Sequence, residues 1–295
     1  MSQPLRTCPP ADPQPRTPKA PLPPGTCDTH AHLFGPEARY PWSPQRGYTP
    51  PEALPAAYER MHAILGVSRG VLTQPSVYGT DNRAMLDYVR AHPDRMRAIV
   101  SVEPTVSDRE LEALHAAGAR GIRVNLVDPG GNPFGSLAGL HRVAERIRPL
   151  GWHVELLIHV HEMDAVISDL KGLAVDFSIG HFGYMPAKLG VNHPKYRAFL
   201  DLVAEGKCWV KLSGPYRITA RQATPYDDVA PFAHALVARR PDRIVWGTDW
   251  PHPIVPVPMP NDGALADHVF DWIPDEALRR TILVDNPARL YGFPA

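Results

Sequence analysis

The stretch Cys27-Asp28-Thr29-His30-Ala31-His32-Leu33-Phe34 decides how the rest of the chain is read. It is a short apolar run with two histidines one residue apart. In a strand, residues i and i+2 point to the same face, so His30 and His32 project side by side. That arrangement suits two imidazoles gripping one cation. A His-x-His pair alone does not distinguish this from two unrelated histidines; the text on either side of it does.

Upstream, residues 1–26 are crowded with proline, which fixes φ and removes a backbone donor, so an extended arm is expected rather than a helix or strand. Downstream, residues 35–55 form a loop rich in proline and aromatics. A structureless connection of roughly 20 residues is unusual unless it covers something. After it the text alternates. Strand-like runs cover 70–76, 96–102, 121–126, 153–160, 177–182, 208–213 and 243–249. Helical spacing covers 52–65, 80–91, 107–117, 136–149, 162–171, 194–205, 226–239 and 275–283. Ser107-Asp108-Arg109-Glu110 has the form of a capping box. Eight strands, each followed by a helix, predict the α/β class and a single (β/α)8 TIM barrel over residues 27–295, with the proline-rich N-terminal arm at 1–26. An open doubly wound sheet would carry a Gly-x-Gly-x-x-Gly turn after its first strand, and none follows His32.

Composition narrows the function. Lys plus Arg and Asp plus Glu balance at 31 each, which gives no basic field for nucleic acid. Three scattered cysteines, Cys8, Cys27 and Cys208, form no disulfide framework and no zinc-finger spacing. No apolar run approaches the roughly 18 residues of a membrane span, and the N-terminus lacks the apolar core of a signal peptide. A soluble, cytoplasmic protein is expected, and its 14 histidines exceed what packing needs.

In a barrel of this kind the site lies at the C-terminal strand ends. Strand one brings His30 and His32 there, strand six His181 and strand eight Asp249. Strand five brings His159, because the alternate positions Val154, Leu156, Ile158 and Val160 are all apolar and leave Glu155, Leu157 and His159 facing inward. Lys211 also alternates with apolar neighbours, and an inward lysine needs a buried partner, for which Glu155 is the candidate.

These residues carry a resemblance. The phrases Asp28-Thr29-His30-Ala31-His32, Gly79-Thr80-Asp81-Asn82, Gly121-Ile122-Arg123, Gly180-His181-Phe182-Gly183 and Trp246-Gly247-Thr248-Asp249-Trp250-Pro251-His252-Pro253 resemble the amidohydrolase superfamily. Within it they resemble the lactonase branch, which acts on pyrone dicarboxylates and sulfomuconolactones. The likeness runs from about Thr26 to Tyr291. It implies hydrolysis of a small anionic lactone bearing carboxylate or sulfonate. By the resemblance, Asp249 is the general base that activates water, and His30, His32 and His181 polarise the carbonyl. Arg123, Arg217, Ser76 and Tyr48 match positions that hold the substrate's anionic groups, and an arginine fork suits both kinds of anion.

The branch includes metal-free enzymes and zinc enzymes. The strand-five histidine completes a set, His30, His32, His159 and Asp249, that resembles a site for one zinc or other divalent ion per chain; a metal-free mechanism stays open. Two departures bear on the substrate. Residues 127–131 lack a second arginine that pyrone enzymes use there, and Leu157 stands in place of a tyrosine. Strand four offers Arg123 and Asn125 rather than a bridging lysine, which argues against two metals. A lactone isomerase or a metal-dependent decarboxylase is the alternative. The expected partner is a small lactone, with no nucleic acid and no membrane; the arm leaves a homo-oligomer open.

Overall fold

The computed structural model describes residues 5–128, 131–134, 137–162 and 164–294. Eight strands form one parallel sheet whose spatial order follows the chain: β1 (Cys27–Ala31), β2 (Arg69–Thr73), β3 (Met96–Val100), β4 (Ala119–Asn125), β5 (His153–Leu157), β6 (Phe177–Ile179), β7 (Cys208–Leu212) and β8 (Ile244–Trp246). Nearly every strand residue is buried, as expected where both faces of a parallel sheet are covered. The cylinder closes just beyond the regular strands. Asp249 N donates to His30 O at 2.7 Å, His32 N donates to Trp250 O at 2.8 Å, and Ala31 bridges Trp250 in parallel. Gly247 permits this seam, since a Cβ there would lie 2.7 Å from His30 N.

Helices α1 (Pro55–Leu65), α2 (Arg83–Ala91), α3 (Asp108–Ala116), α4 (Leu137–Ile147), α5 (Asp164–Lys171), α6 (Pro194–Ala204), α7 (Ala230–Arg239) and α8 (Asp262–Trp272) alternate with the strands along the chain. Local chemistry sets several ends. Proline opens α1, and Gly66 closes it at φ 77°. The expected capping box forms at α3, where Ser107 Oγ accepts from Glu110 N at 3.2 Å and the Glu110 carboxylate accepts from Ser107 N at 2.7 Å. A cap of this type contributes about 1 kcal/mol.

The text and the structure differ at the last helix. The helix that follows β8 is α8, which the apolar spacing does not flag because Gly263 and the three aspartates Asp262, Asp267 and Asp271 interrupt it. Its start was written in the sequence nonetheless, since Asn261 Oδ1 accepts from Gly263 N at 3.0 Å as an N-cap. Residues 275–283 are helical as expected, but as part of a terminal segment that comes after α8: helix Glu276–Arg280 leads through a π-helical turn at Thr281–Asp285 into helix Asn286–Tyr291.

From residue 5 onward the arm lies against the barrel. Arg16 pairs with Asp267 of α8 and Lys19 Nζ with Asp271 at 2.7 Å. Arg60 of α1 donates to Pro13 O at 2.7 Å. At its start, Arg6–Thr7 pairs in parallel with Tyr48–Thr49 from the long loop after β1. Among the described residues no helix is long and apolar enough to cross a membrane.

Candidate active site

A cavity of about 280 Å³ opens where the strands end and the closing seam lies. His30, His32, Tyr48, Ser76, Arg123, His159, His181, Arg217 and Asp249 all line it, so every site residue expected from the sequence reaches one pocket.

Asp249 is at the centre. It follows β8 with φ 63°, and His181 follows β6 with φ 52°, a region sparsely used by residues other than glycine. Both are fully or almost fully buried. The two carboxylate oxygens of Asp249 differ. Oδ2 accepts from Tyr216 Oη and from Arg217 Nε, each at 2.6 Å. Oδ1 has no hydrogen-bond partner and lies 3.6 Å from His30 Nε2 and 3.8 Å from His32 Nε2. Burial alone would raise this carboxyl, but the Arg217 guanidinium outweighs it and holds Asp249 well below the usual carboxylate range. Arg217 in turn stays protonated, since Asp249 more than offsets the cost of its burial.

Each imidazole is oriented through Nδ1. His32 Nδ1 donates to Thr73 O at 2.7 Å. His181 Nδ1 meets Ser213 O at 3.2 Å. His30 Nδ1 lies 3.2 Å from Glu155 Oε1. For His32 the carbonyl acceptor assigns the proton to Nδ1 and leaves Nε2 with its lone pair, the usual tautomer of a metal-ligating histidine, whereas His30 Nδ1 also meets Lys211 Nζ at 3.3 Å and His181 Nδ1 also meets Ser213 Oγ at 3.0 Å. Burial keeps the rings neutral, with His32 pulled down to about 4, His181 to about 3 and His30 well below its ordinary value.

Below this layer sits a charged floor. Glu155 pairs with Lys211 and with Arg123, and Thr73 Oγ1 donates to it at 3.2 Å. The Lys211–Glu155 partnership read from strand alternation is therefore present. Lys211 Nζ also donates to Thr29 O at 2.6 Å. Asp28 stitches the seam, accepting from Thr248 N at 2.8 Å and Thr248 Oγ1 at 2.7 Å.

Three of these side chains could hold a cation. His30, His181 and Asp249 can place one ligand atom each within 4.8 Å of one another. Asp249 Oδ1 and His30 Nε2 are both buried without a partner, so a carboxylate oxygen and an imidazole nitrogen are left over for a cation. His32 stands at its edge through the 3.8 Å approach to Asp249 Oδ1. His159 does not join the group, which corrects its expected place in the metal set. β5 ends at Leu157, so alternation no longer aims the next residues. The His159 side chain is 27% exposed at the cavity mouth, with Nδ1 3.1 Å from Glu162 and its ring stacked on His161. The third member of the group is His181.

Arg217, expected to hold the substrate's anion, lines the cavity and also binds the base. Its Nε is spent on Asp249, and its second contact, 2.9 Å to Pro253 O, is to backbone. Sequence reasoning missed two residues that shape the base. Tyr216 binds Asp249 and continues through His252 Nδ1 at 2.9 Å and His252 Nε2 to Asp262 at 3.0 Å. Gly214, at φ 56°, leaves room for the carboxylate, since a Cβ there would lie 2.7 Å from Asp249 Oδ2. Position directly after strand seven was the one available signal for both.

Residues 27–293 match the family described as amidohydrolase. The chain belongs to the amidohydrolase family. This amidohydrolase is 39% identical over 273 residues to a 4-sulfomuconolactone hydrolase of Hydrogenophaga intermedia, covering 92% of this chain and 90% of the relative. It is 36% identical over 289 residues to a 2-pyrone-4,6-dicarboxylate hydrolase of Comamonas testosteroni, covering 94% and 93%. An apo crystal structure from Agrobacterium tumefaciens superposes with a TM-score of 0.85 at 32% identity, over 94% of this chain and 99% of that one.

Proposed function

We propose that this amidohydrolase opens a small anionic lactone by adding water across its ring ester, with Asp249 as general base. The observation that carries this reading is the asymmetry of Asp249. One oxygen is anchored by Tyr216 and Arg217 while the other, unpartnered, lines a cavity beside bare imidazole nitrogens. The lactone hydrolases among its relatives support the reaction class.

The proposed ligand set is His30, His32, His181 and the Asp249 carboxylate, and imidazole with carboxylate suits one zinc. Such an ion supplies Lewis acidity for the ester carbonyl and acidity for a water. The chain's own residues do the rest. Ser76, Tyr48 and the free edge of Arg123 receive the anionic arm of the lactone. Ser76 Oγ and Arg123 Nε are both buried without partners, which leaves them available for it. Asp249 Oδ1 takes a proton from the attacking water as its oxygen bonds to the acyl carbon. It then delivers that proton to the ring oxygen as the acyl C–O bond breaks, giving a hydroxy acid or its keto tautomer. Tyr216 and Arg217 hold the carboxylate ionised before the attack and aimed throughout.

Ring opening of 4-sulfomuconolactone and of 2-pyrone-4,6-dicarboxylate in 18O-labelled water tests this directly. The product should carry one labelled carboxylate oxygen, and Asp249→Asn should keep its fold while losing about 10³-fold in kcat. Elemental analysis of the same preparations should find close to one zinc per chain. Normal turnover by Asp249→Asn, or an unlabelled isomer as product, would remove the hydrolytic reading.

A further inference from the structure

The cavity has one cation that the catalytic frame leaves unused. Arg123 pairs with Glu155, which it shares with Lys211, and Arg217 pairs with Asp249. The third arginine lining the cavity is Arg6, from the N-terminal arm. Among the described residues its guanidinium has no hydrogen bond or ion pair. Asp128 also lines the cavity, and its Oδ2 is engaged by Asn125 Nδ2 at 2.8 Å.

The backbone around Arg6 is fixed at the rim. Arg6 is the register partner of Tyr48, which lines the same cavity. Two residues on, Cys8 Sγ accepts from Ile254 N at 3.3 Å, and Ile254 is a further lining residue. Behind it the arm is pinned to α8 through Arg16 and Lys19. Its prolines leave it few conformations to lose. An arm so restrained can present an arginine to a ligand without a large ordering cost.

We propose that Arg6 is a specificity-determining residue: it takes the second, outer anionic group of a dianionic lactone, whose inner group is received at the cavity floor. This rests on the lactone reading of the same site and names the substrate class within it. At the floor, Arg123 shares Glu155 with Lys211 and keeps a free edge for one anionic group, while Arg217 is bound to Asp249, so a second negative charge at the rim needs a cation of its own. A guanidinium fork satisfies carboxylate and sulfonate equally well.

The test compares parent, Arg6→Ala and Arg6→Lys on 4-sulfomuconolactone, which carries carboxylate and sulfonate, and on muconolactone, which carries carboxylate alone. Loss of one charge-assisted contact should raise KM for the dianion about tenfold with kcat within about twofold. KM for the monoanion should move much less, and Arg6→Lys should recover part of the loss. Equal changes on both lactones, or none on the dianion, overturn the proposal. If the parent opens neither lactone, the hydrolase reading fails on its own. Calorimetric titration with isophthalate and benzoate then decides the role of Arg6. A preference of the parent for the dianion that Arg6→Ala abolishes sustains the proposal; no preference, or one unaffected by the substitution, overturns it.

Discussion

Gly214→Ala isolates the geometry of the base from its chemistry, because it alters neither Asp249 nor any group that touches it by hydrogen bond. The added Cβ would lie 2.7 Å from Asp249 Oδ2 and 3.0 Å from His181 Nδ1, where ordinary contact begins at 3.4 Å. The carboxylate must therefore retreat by about 0.7 Å to restore van der Waals contact. The bonds from Tyr216 and Arg217, now 2.6 Å each, would pass the outer limit of a good hydrogen bond. If a displacement of 1 Å costs on the order of 10²-fold, kcat should fall between about 10- and 100-fold. Placing alanine at φ 56° adds about 1–2 kcal/mol of backbone cost. Gly66→Ala is the control, since Gly66 sits at φ 77° with nothing within 4 Å of a Cβ. It should lose similar stability and keep full turnover. Thermal denaturation and steady-state kinetics on the three proteins read both effects. A Gly214→Ala enzyme with the parent's kcat would refute the claim that this glycine makes space for the carboxylate.

Two further outcomes concern the interior. Glu155→Gln leaves Lys211 buried without its carboxylate and should cost about 3–5 kcal/mol in urea denaturation, part of which the double variant with Lys211→Met should restore; a Glu155→Gln protein as stable as the parent would contradict the charged floor. The second concerns pH. His153, buried at the foot of β5, is pulled down to about 4 by burial, whereas an unfolded imidazole titrates near 6.5. Between those values the unfolded chain binds the extra proton, so stability falls as pH drops from about 6.5 towards 4. His153→Gln should flatten that decline by up to about 1.4 kcal/mol per pH unit, read from denaturation midpoints at pH 7, 6 and 5.

Much of the architecture was readable because barrel strands are apolar on the helix-facing side and punctuated at their ends. Glu155 and Lys211 show the method at its best: each alternates with buried aliphatics, and two opposite charges with nowhere else to go must meet. His159 shows where it stops. The alternation in residues 153–160 continues past Leu157, and nothing in the letters marks the point at which pairing ends and the chain turns aside. Tyr216 and Gly214 are invisible for a different reason. Neither residue type signals chemistry, and their roles depend on a left-handed backbone and on a carboxylate contributed by another strand. α8 was hidden by composition, although its asparagine cap was in plain view.

The seam between the first and last strands has a consequence for biogenesis. Its backbone bonds join His30 and His32 to Asp249 and its neighbour Trp250, and the two histidines and the aspartate surround the reacting carbon in the proposed mechanism. More than 200 residues separate the two sides. A chain leaving the ribosome therefore has its imidazoles early and its carboxylate late, and no partial translation product can assemble the pocket. Competence arrives in one step, when the cylinder shuts.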